Sequence, residues 1–131
     1  MNLLLDTHTF LWYYMGAPNL GRNTLSVIED PTNDFFVSVA TIWEIAIKNS
    51  LGKLELNAPL GVFLQDVVQK GFNIMPIDLS HILQSSMLPF HHRDPFDRII
   101  IGQAIAEKMV LVSADTLFEP YCSTSGLKTM W

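Results

Sequence analysis

The chain has 131 residues, of which 49% are hydrophobic and only 16% charged, a composition that argues against disorder and lets a core form without disulfides or a structural metal. Its single cysteine, Cys122, rules out an internal disulfide or a zinc knuckle. The formal charge of −5 argues against a protein that coats nucleic acid by counterion release alone, and suits a basic protein partner. The opening Met1-Asn2-Leu3-Leu4-Leu5-Asp6 does not read as a signal peptide. No stretch approaches the ~20 apolar residues of a membrane-spanning helix. One domain over residues 1–131, located in the cytoplasm, is expected.

In chain order, Asn2–Leu5 reads as a buried strand ending at Asp6 and Thr7, residues suited to opening a helix. His8–Met15 carries Phe10, Trp12, Tyr13 and Tyr14 on a helical stripe stopped by Gly16 and Pro18. So much aromatic surface suits either core packing or a protein interface. A polar helix is expected over Arg22–Glu29, then a turn at Pro31–Asp34 and a strand over Phe35–Ser38. Ala40–Leu51 is the clearest helix, with Ala40, Glu44, Ile47 and Leu51 on one stripe and Gly52 to terminate it. Lys53–Leu56 reads as a short extended piece, Pro59–Lys70 as a helix closed by Gly71, Phe72–Met75 as a strand and Asp78–Met87 as a helix. Asp94 and Pro95 supply the N-cap and first position of a helix running through Arg98–Lys108. Met109–Val112 is a strand ending in Ser113-Ala114-Asp115, and Lys128–Trp131 adds a last edge strand. Strands alternating with helices, with no internal repeat, predict an α/β fold whose mostly parallel sheet is covered on both faces.

Ligands collect beyond the carboxyl ends of such strands, and two of those ends carry acids, Asp6 and Asp115. Glu44 lies one turn into a buried helix. Asp97 lies in the first turn of another, on the stripe of Ile101, Ala104 and Ile105. Each acid also has a structural reading: Asp6 and Asp115 as helix caps, Asp97 completing a capping box with Asp94, and Glu44 pairing with Lys48 one turn on. Glu44 fits its structural reading worst, because Trp43 and Ile45 flank it and its stripe is apolar. Taken together the acids point elsewhere. Two unit charges 4 Å apart repel by about 4 kcal/mol at an effective dielectric near 20, so four clustered carboxylates either take up protons or recruit cations. All-oxygen ligation favours Mg²⁺ or Mn²⁺ over zinc, and such a centre suits phosphoryl chemistry.

Four blocks, Leu3-Leu4-Leu5-Asp6-Thr7-His8, Ser38–Lys48, His92–Arg98 and Leu111–Asp115, resemble in order and spacing the blocks of PIN-domain ribonucleases, specifically the VapC toxins of bacterial toxin-antitoxin operons. The resemblance runs from the first strand to the carboxyl terminus. It implies a three-layer α/β/α sandwich and an acidic quartet of Asp6, Glu44, Asp97 and Asp115 holding Mg²⁺ or Mn²⁺, with Asp6 and Asp97 as direct ligands. It further implies hydrolysis of RNA to a 3′ hydroxyl and a 5′ phosphate, a homodimer, and inhibition by a small cognate antitoxin. Asp94 is then either a fifth, outer acid or simply an N-cap. Thr7 and Ser113 offer hydroxyls that bond a quartet carboxylate or a turn. His91, His92 and Arg93, with Arg98 beyond, form either a phosphate-holding edge or an ordinary solvated loop. His8 either stacks on a base or caps a helix.

Two other readings are open to the sequence. Leu3–Thr9 approximates the opening motif of haloacid-dehalogenase-like phosphatases, but His8 stands in place of the second aspartate and no matching lysine and acidic-pair block follows. A PIN-like scaffold that binds RNA or protein without cutting is the non-enzymatic alternative, and the loss of a quartet acid that would mark it is not seen.

Overall fold

Leu3, Leu4 and Leu5 are wholly buried, as the central strand of a parallel sheet requires when helices cover both faces. That strand is β1 (Asn2–Leu5), in a computed structural model that describes all residues from Met1 to Trp131. Five strands, β1, β2 (Asp34–Ser38), β3 (Asn73–Met75), β4 (Val110–Val112) and β5 (Lys128–Met130), form one sheet in the order β3-β2-β1-β4-β5, and every pairing is parallel. Side chains alternate across it. Leu3, Leu5, Val37 and Val112 join Phe10, Ile28, Ile45 and Phe63 in one core, whereas Leu4 and Leu111 join Ile100, Ile101, Phe118 and Tyr121 in the other.

The first core is roofed by α1 (Thr7–Met15), α2 (Arg22–Glu29) and α4 (Leu60–Gln69), the second by α6 (Pro95–Ala106) and α7 (Glu119–Ser125), with α5 (Leu79–Ser86) packed on α6. The helix α3 (Val39–Ser50) contributes Ala40 to one core and Ile45 to the other. This is the expected three-layer α/β/α sandwich, all-parallel rather than mostly so. No helix is long and apolar enough to cross a membrane.

Local chemistry explains most boundaries. Gly16 ends α1 in the left-handed conformation, φ 64°, which a side chain would resist. Asp94 caps α6 by accepting from the Phe96 and Asp97 amides, with Pro95 at its first position. The aromatic stripe of α1 serves mainly the core: Phe10, Tyr13 and Tyr14 meet Phe35, Phe63 and Phe72 largely edge to face. One expectation fails, and one helix was not foreseen. Lys53–Leu56 forms no strand and is tied into a loop by the Asn49 side-chain amide, which donates to the Leu54 carbonyl. The helix α7 carries no apolar periodicity, since Tyr121 is its one buried residue, so nothing in its pattern announced it.

The crossing of α5 over α6 is unusually close at Gly102. A Cβ there would stand 2.9 Å from both the His81 carbonyl oxygen and the Ser85 nitrogen, backbone atoms that cannot step aside. Gly102→Ala is therefore expected to destabilise the protein by about 1–3 kcal/mol of overpacking, outweighing the ~1 kcal/mol of helix propensity gained. Urea titration reads the difference, and an equal or higher midpoint would show that the crossing is not tight.

Candidate functional site

The chain builds outward from β1 to β2 and β3, then returns to β4 and β5 on the other side of β1. The order thus reverses between β1 and β4, and in open parallel sheets a crevice forms beyond the carboxyl ends of such a pair. Asp6 and Ser113 are the first residues past those ends. The Asp6 amide donates to the Val112 carbonyl at 3.2 Å, and the Ser113 hydroxyl donates to Asp6 Oδ2 at 2.5 Å. Asp6 Oδ1 caps α1 by accepting from the Thr9 amide at 2.9 Å. Asp6 is thus both helix cap and crevice carboxylate, and it is buried.

Glu44 is also buried, on the face of α3 that carries Ala40, Thr41 and Ile45. Its Oε1 accepts from the Thr7 hydroxyl at 2.7 Å, and its Oε2 lies 2.8 Å from Lys48 Nζ. The pairing with Lys48 and the approach to the crevice are therefore both realised. Thr7 adjoins Asp6 in the chain and so couples α3 to the end of β1. The Lys48 ammonium has its pKa raised, chiefly by its hydrogen bond to Glu44, with burial opposing and the charges of Glu44, Asp94 and Asp97 assisting.

Asp97 occupies the first turn of α6. Its carboxylate does not complete a capping box with Asp94: the Asp94 amide donates to His92 Nδ1 at 3.3 Å instead, which leaves the Asp97 side chain free to face the crevice. With Nδ1 accepting, the neutral His92 ring carries its proton on Nε2. Nε2 stands 2.8 Å from Asp97 Oδ2 but off the line of a hydrogen bond, so this buried nitrogen has no aligned partner. Asp115 caps a turn of 3-10 helix by accepting from the Leu117 amide, and its own amide donates to Ser113 Oγ at 3.0 Å. Ligand atoms of His92, Asp97 and Asp115 lie within 4.8 Å of one another.

The Asp97 carboxyl is pushed up to about 7 from its ordinary 3.8, first by burial and then by Asp94. His92 opposes the rise, and Glu44 and Asp6 add to it. That Glu44 and Asp6 act on Asp97 places three of the acids in one electrostatic neighbourhood, and His92 and Asp115 close it. A buried carboxyl group repelled by its neighbours fits a hard divalent cation ligated by oxygen.

The basic edge divides. Arg98 is buried, and its guanidinium donates to the carbonyls of Ser85, Leu88, Pro89 and His92, so it organises a loop instead of awaiting a phosphate. His91 lies edge-on to Tyr121. Arg93 is exposed and is the cation of this edge left to meet solvent. His8, exposed at the start of α1, tilts against Trp12. Sequence reasoning passed over Tyr121, whose hydroxyl accepts from the His92 amide and donates to the Pro89 carbonyl. A lone aromatic in an otherwise polar segment was the one available signal.

Because the fold disfavours charge on Asp97, the metal-free protein loses stability as pH climbs from about 4 through about 7, and the penalty is absent below that window. Asp97→Asn, which resembles the protonated acid, should melt several degrees above the parent at pH 8 in EDTA, with the gap narrowing as pH falls and closing only below about pH 4. Asp6→Asn should be nearly neutral, since asparagine caps helices as well as aspartate does. Equal melting of Asp97→Asn and parent at pH 8 would show that Asp97 is not under repulsion.

The PIN domain family's sequence profile matches residues 3–122. Among solved structures, VapBC2 from Rickettsia felis bound to a DNA fragment from their promoter superposes with a TM-score of 0.71 at 16% identity, over 100% of this chain and 99% of that one. VapBC-1 from nontypeable Haemophilus influenzae gives 0.69 at 16%, over 99% and 97%. VapBC-5 from Mycobacterium tuberculosis, a member of the VapBC family of toxin-antitoxin systems, gives 0.66 at 16%, over 98% and 97%. No curated protein sequence matches significantly. The shared architecture and a profile match over nearly the whole chain exclude the phosphatase alternative, and the chain belongs to the PIN-domain family.

Proposed function

We propose that this protein is a metal-dependent endoribonuclease and the toxin of a toxin-antitoxin pair, acting through Asp6, Glu44, Asp97 and Asp115. The observation that carries the reading is the convergence of these acids on the crevice between β1 and β4, with the Asp97 carboxyl raised to about 7 by burial and its neighbours. The PIN architecture shared with VapBC structures supports it. Asp6 and Asp97 would hold Mg²⁺ or Mn²⁺ directly, with Glu44 and Asp115 completing the acidic surround. A divalent ion there supplies Lewis acidity, acidifying water and offsetting charge on the phosphodiester.

The chain's own residues prepare that chemistry. Ser113 and Thr7 each fix one oxygen of Asp6 and Glu44, so the carboxylates face the crevice in set orientations. Lys48 Nζ lies 2.8 Å from Glu44 Oε2, and the exposed Arg93 is a cation with which an RNA phosphate can be met. Hydrolysis by an in-line water leaves a 3′ hydroxyl and a 5′ phosphate. The partners are RNA, a small antitoxin whose basic character would complement the net charge of −5, and a second copy of the chain. The Glu44–Lys48 pair favours one competing reading, a silent PIN scaffold in which Glu44 is structural.

Three measurements separate these. Cleavage of total bacterial RNA should require Mg²⁺ or Mn²⁺ and vanish in EDTA; undiminished cleavage in chelator would overturn the mechanism. Glu44→Gln keeps the Thr7 hydrogen bond and the fold, and its cleavage should fall by about 100-fold, partly restored at higher Mg²⁺. Near-parental activity in Glu44→Gln, with Lys48→Met lowering the melting temperature as much as the glutamate change does, would leave Glu44 a structural acid. No Mg²⁺-dependent rise in melting temperature, together with no cleavage, would favour the scaffold.

A further inference from the structure

His8 stands two residues after Asp6 and has no part in the chemistry described so far. It does not cap α1, because Asp6 does. Its exposed ring lies 5.9 Å from that of Trp12, one helical turn on, at 38°, and Trp12 in turn meets Trp131 at 5.8 Å and 64°. Three rings, two from α1 and one from the residue after β5, thus form one continuous aromatic surface. Trp131 is 43% exposed and Trp12 half-buried, so every ring keeps part of itself in water.

Hydrogen bonds on both sides fix this surface at the rim of the acidic crevice. On one side the Thr9 hydroxyl donates to the Val112 carbonyl at 3.0 Å, which ties the first turn of α1, and His8 with it, to the end of β4. On the other, the Ser113 amide donates to the Met130 carbonyl at 3.0 Å, and Trp131 follows Met130 directly. The same Ser113 gives its hydroxyl to Asp6. The aromatic surface and the acids are therefore held by one set of strand ends.

We propose that His8, Trp12 and Trp131 form a platform on which a nucleobase of the RNA strand stacks when a neighbouring phosphate meets the acids, a specificity element that rests on the ribonuclease reading above. Position and size select the occupant. A strand whose phosphate reaches Asp6 must lay a flanking nucleotide along the rim, and an aromatic face takes any unstacked base without needing charge. Three rings, even fully open, fall short of the ~800 Å² that each partner gives to a standard protein interface, whereas they match one or two bases. The platform also meets a need set by charge. A chain of net charge −5 gains little from general attraction to phosphates, so more of its hold on RNA falls to contacts with the bases.

The test compares two end-labelled single strands of about 12 units, a mixed-sequence oligoribonucleotide and an abasic ribose-phosphate chain, by fluorescence anisotropy with the full chain in Ca²⁺. The parent should bind the base-bearing strand about 10- to 100-fold more tightly. Only that strand should quench the emission of Trp43→Phe, whose remaining indoles are Trp12 and Trp131. Trp131→Ala and His8→Ala, both at exposed positions, should each cut the preference about 10-fold, and Trp131→Phe, which keeps a ring, should retain most of it. In cleavage of total bacterial RNA the two alanine variants should raise KM while kcat and the Mg²⁺ melting shift stay near parental, a pattern that damage to the acidic centre would not give. Equal binding of the two strands by the parent would overturn the platform. So would parental preference in both alanine variants, which would assign the rings to a protein contact. A parent that prefers the base-bearing strand yet cuts no RNA in Mg²⁺ would overturn the nuclease reading and leave the platform standing.

Discussion

Carboxylates held close together and away from water repel one another, and that repulsion organises the acidic end of this protein. The sheet order makes the crowding unavoidable, since the reversal between β1 and β4 brings the residues after both strands to one crevice. The surroundings then compensate the acids unequally. Asp6 receives an amide and a hydroxyl, Glu44 a hydroxyl and an ammonium, and Asp115 an amide. Asp97 has only an imidazole that misses the line of a hydrogen bond. The uncompensated charge is therefore concentrated at one carboxylate, and an added cation would relieve more repulsion there than at any of the others.

Much of the fold was legible because its causes are local. The apolar run of β1, the Asp94-Pro95 start of α6 and the glycine that ends α1 each announce themselves through a few neighbouring residues. The candidate site was legible for a related reason: acids at strand ends and on apolar helix stripes are misplaced unless something uses them. Arg98 was misread because adjacency in sequence is not adjacency in space. Successive helix residues turn by about 100°, so Asp97 faces the crevice while Arg98 faces the loop between α5 and α6. Lys48 could be weighed as a partner of Glu44 from its spacing, whereas Thr7 could be weighed only as a hydroxyl for some quartet carboxylate, since its choice of Glu44 is a contact across 37 positions.

Fewer than one residue in five is shared with the VapBC structures that superpose on this chain, yet the layers and strand order persist. What is preserved at such distance is the alternation of apolar residues on strands and the stripe on each helix, which many sequences satisfy. Architecture by itself therefore says little about chemistry. The reading offered for this chain depends on particular side chains, and above all on the acids its own caps and hydroxyls hold in place.

The hydrogen bond from Ser113 to Asp6 spans 107 positions, and β1 is flanked by β4 from the far end of the chain. A growing polypeptide that has not yet reached β4 possesses Asp6 but neither its hydroxyl partner nor Asp115. Its central strand, meanwhile, lacks one neighbour and displays a bare leucine edge. Pairings this distant are slow to form, because the closure entropy of a long loop must be met before any contact repays it. The crevice is consequently among the last features to come into being during synthesis, and the chain passes most of its time on the ribosome without an assembled acidic centre.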